Sequence, residues 1–163
     1  MGMRADKLEK TKEEFEIRYK RCNSMGKHAI LVVKNKKNEY LQYYDERWNS
    51  YLFLNCKMQN KEDEEAILNN LETSFDIKKE EIQLFFVNQK VHKKFSESAK
   101  KEKEYEHYFY KVELLKPIDE MKQKEFRMNN KKYRWFSFDE LLKDTRIQKV
   151  NSDIVGYIKE FKL

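Results

Sequence analysis

Glycine and proline are scarce in this sequence: three and one among 163 residues. That excludes a glycine-rich phosphate loop and any low-complexity Pro/Gly tract. Tight turns must instead be built from Asn, Asp and Lys, as in residues 34–38 (KNKKN). Cysteine is almost absent as well. Cys22 and Cys56 form no C-x-x-C pair, which fits a reducing compartment. The three histidines, His28, His92 and His107, are scattered along the chain, and no zinc-ligand spacing is present. No apolar run approaches the roughly 18 residues of a membrane span. The N-terminus has no signal-peptide core, and Met1-Gly2 lacks the Ser or Thr of a myristoylation site, since Asp6 stands there. A cytoplasmic protein without membrane attachment is expected. There is no G-x-S-x-G elbow, and no histidine is placed by sequence beside Cys56.

Charge and aromatic residues are abundant. Basic residues number 35 and acidic residues 29, a net charge of +6. That balance favours anionic partners. The acids are interleaved almost everywhere, so a solvated surface explains the pattern better than a nucleic-acid face. Aromatic residues make up 14%, far more than a disordered chain carries. The length suits one folded domain with one core.

The hydropathy pattern alternates strands and helices. Residues 4–22 read as a largely polar helix with a narrow stripe of Leu8, Phe15, Ile17 and Tyr19. Residues 28–33 (HAILVV) form a short, nearly continuous apolar run, as a buried strand would. With residues 39–44 across the 34–38 turn, it suggests a hairpin. Residues 51–54 give a third strand. Residues 60–76 give an amphipathic helix capped by Asn60, with Ala66, Ile67, Leu71 and Phe75 on its apolar stripe. Residues 82–87 and 105–115 read as strands, and the lysine-rich 90–103 as a long loop or flap. Residues 126–128 and 133–136 form a hairpin across 129–132. Ser137 and Glu140 make a capping box for a short helix, and 153–161 is the last helix. The order implies an α+β (α/β) fold, a mixed sheet with helices packed on it. The expected division is an N-terminal helical extension over 1–24 and one domain over 25–163.

One stretch carries more information. A strand (51–54) runs into Asn55-Cys56-Lys57, then Glu62, then the helix to Ile77. This resembles the Nudix box, G-x5-E-x7-R-E-U-x-E-E-x-G-U, where U is a bulky aliphatic. Cys56 takes the first glycine and Glu62 the first glutamate. After a gap of one residue, Leu71 and Ile77 take the aliphatic positions. Tyr40–Tyr44 with Tyr51-x-Phe53 resembles the strands before such a box. Residues 133–141 (YRWFSFDEL) are similar to the segment that closes the fold. The likeness covers roughly residues 26–163. It implies a Nudix-like mixed sheet sandwiched between helices, with residues 1–24 as an extra helix.

The departures from the family pattern bear on activity. The resemblance implies metal held by carboxylates on one face of the box helix. Here Asn69 and Asn70 stand for the Arg-Glu pair, Thr73 and Ser74 for the Glu-Glu pair, and Asp76 for the second glycine. Glu72 lies about 200° around the helix from Asn70 and is expected to face solvent. The expectation is therefore a pseudoenzyme: a catalytically inactive domain with no cofactor that binds a nucleotide or cyclic oligonucleotide. A further likeness runs to the SMODS-associated Nudix domains of prokaryotic nucleotide-signalling conflict systems, through Trp135-Phe136-x-x-Asp139-Glu140-Leu141 and Asn151–Val155. By that likeness the setting is antiviral defence.

Candidate ligand groups are Tyr44, Arg47, Trp48 and Tyr51 for base stacking and phosphate pairing, with Lys57, Glu62 and Tyr108. Strand aromatics also serve simply as packing. Two alternatives stand beside the sensor. One is a protein-interaction or self-associating module using the N-terminal helix. The other is a Mg²⁺-dependent hydrolase whose carboxylates have moved to Glu62, Glu64 and Glu65.

Overall fold

The computed structural model describes residues 27–59, 63–96 and 100–163. The expected N-terminal helix, the Asn60 cap and Glu62 lie outside the described residues. Seven strands form one sheet: β1 (Lys27–Val33), β2 (Tyr40–Asp45), β3 (Ser50–Lys57), β4 (Ile82–Ser96), β5 (Lys101–Leu114), β6 (Glu125–Met128) and β7 (Lys131–Phe136). Their spatial order is β4-β5-β1-β3-β2-β7-β6. Only the β1–β5 pair is parallel. Among the described residues three α-helices accompany the sheet: α1 (Glu64–Phe75), α2 (Phe138–Lys143) and α3 (Thr145–Glu160). This is the expected mixed, helix-covered α+β architecture.

β1 is central, and its residues 29–33 are all buried because the two faces of the sheet feed two cores. Ala29, Leu31 and Val33 face α1, where Ile67, Leu71 and Phe75 pack on Leu54, Cys56 and Tyr133. Ile30 and Val32 face α2 and α3, with Phe53, Phe109, Phe136, Leu141, Ile154 and Ile158. Fully burying each such side chain contributes about 1.5–3 kcal/mol.

Four expectations need correction. First, β1 and β2 do not form a hairpin. They meet at one antiparallel bridge, Lys34–Tyr40, and then splay apart. β3 fills the gap, pairing Ser50–Phe53 with β2 and Leu54–Lys57 with β1. Second, residues 90–96 and 101–103 are strand, not loop. β4 and β5 continue as a long hairpin through His92–Tyr105, Lys93–Glu104 and Phe95–Glu102. The backbone ladder continues through residues that hydropathy alone reads as loop, with Lys93 opposite Glu104 as one unlike-charge pair. Third, the cap of α1 is Asp63, whose carboxylate accepts from Ala66 N at 3.3 Å. Fourth, α3 begins at Thr145, well before residue 153, and it bends at Asn151, where the backbone leaves helical dihedrals.

The hairpin at 129–132 and the Ser137 capping box occur as expected. Glu140 Oε1 accepts from Ser137 N at 2.8 Å and from Lys124 Nζ at 2.7 Å, and Oε2 accepts from Arg134 at 3.1 Å. Lys124 and the cap hydrogen bond hold the Glu140 carboxyl at about 2, below its ordinary 4.5. The group therefore adds stability that is complete above pH 4.5 and lost as pH falls toward about 2. Gln keeps the cap bond but not the charge. Glu140→Gln should lower stability at pH 7 by less than about 1 kcal/mol, because the pair is part-exposed. Urea unfolding of both proteins should show the gap closing between pH 4.5 and 2; a gap unchanged at the acid end refutes the assignment.

Candidate functional site

α1 lies over β3 and β7, anchored by Ile67, Leu71 and Phe75. Its neighbouring rows, Ala66, Asn69, Asn70, Thr73 and Ser74, recur at helical spacing and so share one side. Together with Cys56, Lys57, Asn129, Lys131 and Tyr133 they line an open cleft of about 630 Å³. The positions aligned with the box thus meet in one cavity. Among the described residues its lining holds two lysines, amides and hydroxyls, and no carboxylate.

The β6–β7 turn closes one end. Asn129 and Asn130 take positive φ of 49° and 67°, the backbone of a two-residue hairpin turn. The Asn129 amide donates to the carbonyls of Thr73 and Ser74 at 3.0 and 2.9 Å, satisfying groups that the helix end leaves unpaired. Asp76, where the family pattern has glycine, is the left-handed C-cap with φ 52°.

A second cleft of about 830 Å³ opens beside the first, lined by Tyr43, Tyr44, Asp45, Glu46, Arg47, Asn55, Arg127, Asn130, Lys131 and Lys132. Lys131 belongs to both, and a neck between Tyr43, Asn55, Asn70 and Ser74 joins them. The outer cleft has four basic residues against two acidic. Asp45 is already engaged: it accepts from Tyr43 Oη at 3.0 Å and from Arg47 Nη2 at 3.1 Å. Asn55 Nδ2 donates to Tyr43 Oη at 3.1 Å, which completes a chain from neck to rim. Burial, with Asp45 nearby, pushes the Tyr43 hydroxyl up to about 12, so it stays a donor. Lys131 Nζ stands 5.1 Å over the Tyr43 ring.

The sequence candidates distribute unevenly. Tyr44 and Arg47 line the outer cleft and Lys57 the inner one. The Arg47 side chain is 84% exposed at the rim. Trp48 sits in the turn before β3, and its carbonyl accepts from Arg146 at 2.6 Å. Tyr51 is on the other face of the sheet, edge-on to Phe136 at 5.2 Å, and lines neither cleft. Tyr108 is buried in the α1-side core, its hydroxyl donating to Glu106 at 2.5 Å. Lys131, Lys132, Arg127, Asn55 and Asn129 were not singled out by sequence. They arrive through the β2–β7 pairing, Tyr43 opposite Tyr133, which no local pattern encodes.

Of the alternative carboxylates, Glu62 lies outside the described residues, and Glu64 and Glu65 do not line the inner cleft. Glu65 pairs with Lys79, and Glu64 interacts with Tyr110. Glu72 is half-buried rather than solvent-facing, near Lys79 and off the cleft. Amides, hydroxyls and ammonium groups do not suit Mg²⁺, which selects anionic oxygen ligands. Among the described residues no three His, Cys, Asp or Glu side chains stand ready to hold a metal. No helix among them is long and apolar enough to cross a membrane.

With this geometry in hand, solved structures provide the comparison. An Ap4A hydrolase from C. elegans superposes with TM-score 0.53 at 16% identity, covering 83% of this chain and 95% of its own. A NUDIX-family hydrolase from Clostridium perfringens gives 0.50 at 14%, covering 82% and 93%. A Deinococcus radiodurans protein gives 0.51 at 12%, covering 84% and 83%. No family model and no curated protein matches the sequence. The chain therefore has the Nudix hydrolase fold.

Cys56 is inside β3, not in the loop after it, and its thiol donates to the Lys57 carbonyl at 3.4 Å. Burial, then the Asp63 charge, pushes that thiol up to about 11. In a Cys22→Ser protein, Cys56 should react with iodoacetamide at pH 8 on the order of a hundredfold more slowly than free cysteine. The rate should climb steadily through pH 10; fast labelling at neutral pH contradicts the burial argument.

Proposed function

We propose that the chain binds a nucleotide or nucleotide-derived ligand in the joined clefts, directly through its phosphates, without a divalent metal and without hydrolysing it. The observation that carries this reading is the inner cleft. Asn69, Asn70, Thr73 and Ser74 take the helix face where metal chemistry needs carboxylates, and Lys57 and Lys131 flank them. Two ammonium groups and several neutral donors bind an anion without a bridging cation. The outer cleft adds Arg47, Arg127 and Lys132, with Tyr44 beside Lys132 as aromatic surface for a base. The proposal extends to a sensor in prokaryotic antiviral defence or signalling, supported by the sequence likeness of the 135–141 and 151–155 segments.

Calorimetric titration with nucleoside di- and triphosphates, dinucleotides and cyclic oligonucleotides tests it. One class should bind equally with EDTA or Mg²⁺ present and emerge uncleaved by chromatography. Lys131→Glu should weaken binding by at least about tenfold. Binding that demands Mg²⁺, or turnover of the ligand, would sink the proposal.

A second reading, a protein-interaction module, rests on the β4–β5 hairpin. It exposes Phe85, Phe86, Val91 and Phe95, each close to half exposed or more, along an edge strand. Light scattering should then show mass rising with concentration, and Phe86→Ser with Phe95→Ser should abolish the rise; a constant monomer mass removes the self-associating form.

A further inference from the structure

All three histidines of the chain come together on one face of the sheet, although they stand far apart in sequence. The face is the α3 side, opposite the clefts. His28 on β1 is in register with His107 on β5, and His92 on β4 is in register with Tyr105 beside it. His92 Nε2 lies 2.9 Å from His107 Nδ1. The His28 and His107 ring centres are 6.4 Å apart.

α3 contributes a fourth group. The bend at Asn151 restarts the helix at Asp153, whose Oδ1 accepts from Ile154 N at 2.9 Å. Its other oxygen, Oδ2, stands 3.5 Å from His92 Nδ1. In the tautomer with the proton on Nδ1, toward that carboxylate, His92 presents its Nε2 lone pair to His107. Aromatic walls fix the rings. Tyr105 stacks parallel to His107 at 6.0 Å, and Tyr157 meets His92 edge-on at 5.6 Å. The neighbouring cation, Lys90, is paired with Glu160 at 3.2 Å.

Carboxylate–histidine–metal is the usual arrangement around an imidazole ligand, the carboxylate fixing tautomer and orientation. Two imidazole nitrogens on one tetrahedral zinc, each about 2.1 Å from it, stand about 3.4 Å apart. The observed pair needs to open by only about 0.5 Å from its hydrogen-bonded distance. The shared proton then moves to His107 Nε2, and both Nδ1 of His107 and Nε2 of His92 present lone pairs to the ion. No trio of ligands is already converged among the described residues. His28 is the third imidazole on this face, its ring centre 6.4 Å from that of its register partner His107.

We propose that His92 and His107, joined by His28 and oriented by Asp153, form a binding site for a first-row divalent transition ion: Zn²⁺, Ni²⁺ or Cu²⁺. Imidazole selects these ions over Mg²⁺, so the site is chemically distinct from any phosphate-linked magnesium. Binding would clip the long hairpin to α3 and stabilise the folded chain by mass action.

The full chain, free of any histidine tag, is titrated with ZnCl₂ calorimetrically and with CuSO₄ by electron paramagnetic resonance at pH 7.5. One equivalent should bind, and the Cu²⁺ spectrum should show couplings from at least two imidazole nitrogens. His92→Ala and His107→Ala should each weaken binding on the order of a hundredfold, and Asp153→Asn by ten- to a hundredfold. Asp153→Asn leaves every ring in place, so it serves even where a histidine variant misfolds, which circular dichroism checks. Equal Zn²⁺ affinity in the wild type and Asp153→Asn, or a Cu²⁺ spectrum without imidazole couplings, overturns the site.

Discussion

The double pairing of β3 is the constraint on which the rest of the structure depends. Its first half pairs with β2 and its second half with β1, so it wedges apart two strands that the chain joins by a short turn. Alternate β3 side chains then feed both cores: Phe53 toward α2 and α3, Leu54 and Cys56 toward α1. A slip of one residue would turn each of these to the wrong face. The wedge also fixes where β3 ends, and therefore where α1 begins. The inner cleft exists because α1 is held over β3 and β7 by side chains that are not themselves in the cleft.

That separation leaves the cleft side chains free to vary without disturbing the fold. Ile67, Leu71 and Phe75 hold the helix, while Asn69, Asn70, Thr73 and Ser74 stand on adjoining rows. Changing the second set costs no apolar burial. Packing fixes the architecture, and the polar rows decide what the cavity accepts. Lysines flanking neutral amides make a cavity that attracts anions by itself, with Asp45 neutralised by Arg47 and kept from opposing them.

Legibility in the sequence followed the range of the interactions. β1, the Asn129-Asn130 turn and the Ser137 box are written locally, in an apolar run, in residues that accept positive φ, and in a three-residue cap spacing. The box positions were readable because helical spacing is local too. The β1–β2 hairpin was misread because adjacency in sequence does not reveal a third strand coming between. The 90–103 segment was misread because its strands are polar and are held by cross-strand backbone pairing, which hydropathy scores as loop. Lys131 and Lys132 went unnoticed, as did the meeting of the histidines, for one reason. Each depends on which strands become neighbours, and that is settled by the whole sheet.

The two chemically rich regions sit on opposite faces of that sheet, and β5 shows how they are kept apart. Along it His107 points to α3, Tyr108 to the α1-side core and Phe109 back to α3. Successive residues cannot share a face. The histidine side is therefore separated from the clefts by the sheet itself and by the packed layer of Tyr108, Tyr110 and Phe75. At the centre of that sheet β1 is bonded on both edges and buried on both faces, so the residues of the two faces meet only across its backbone.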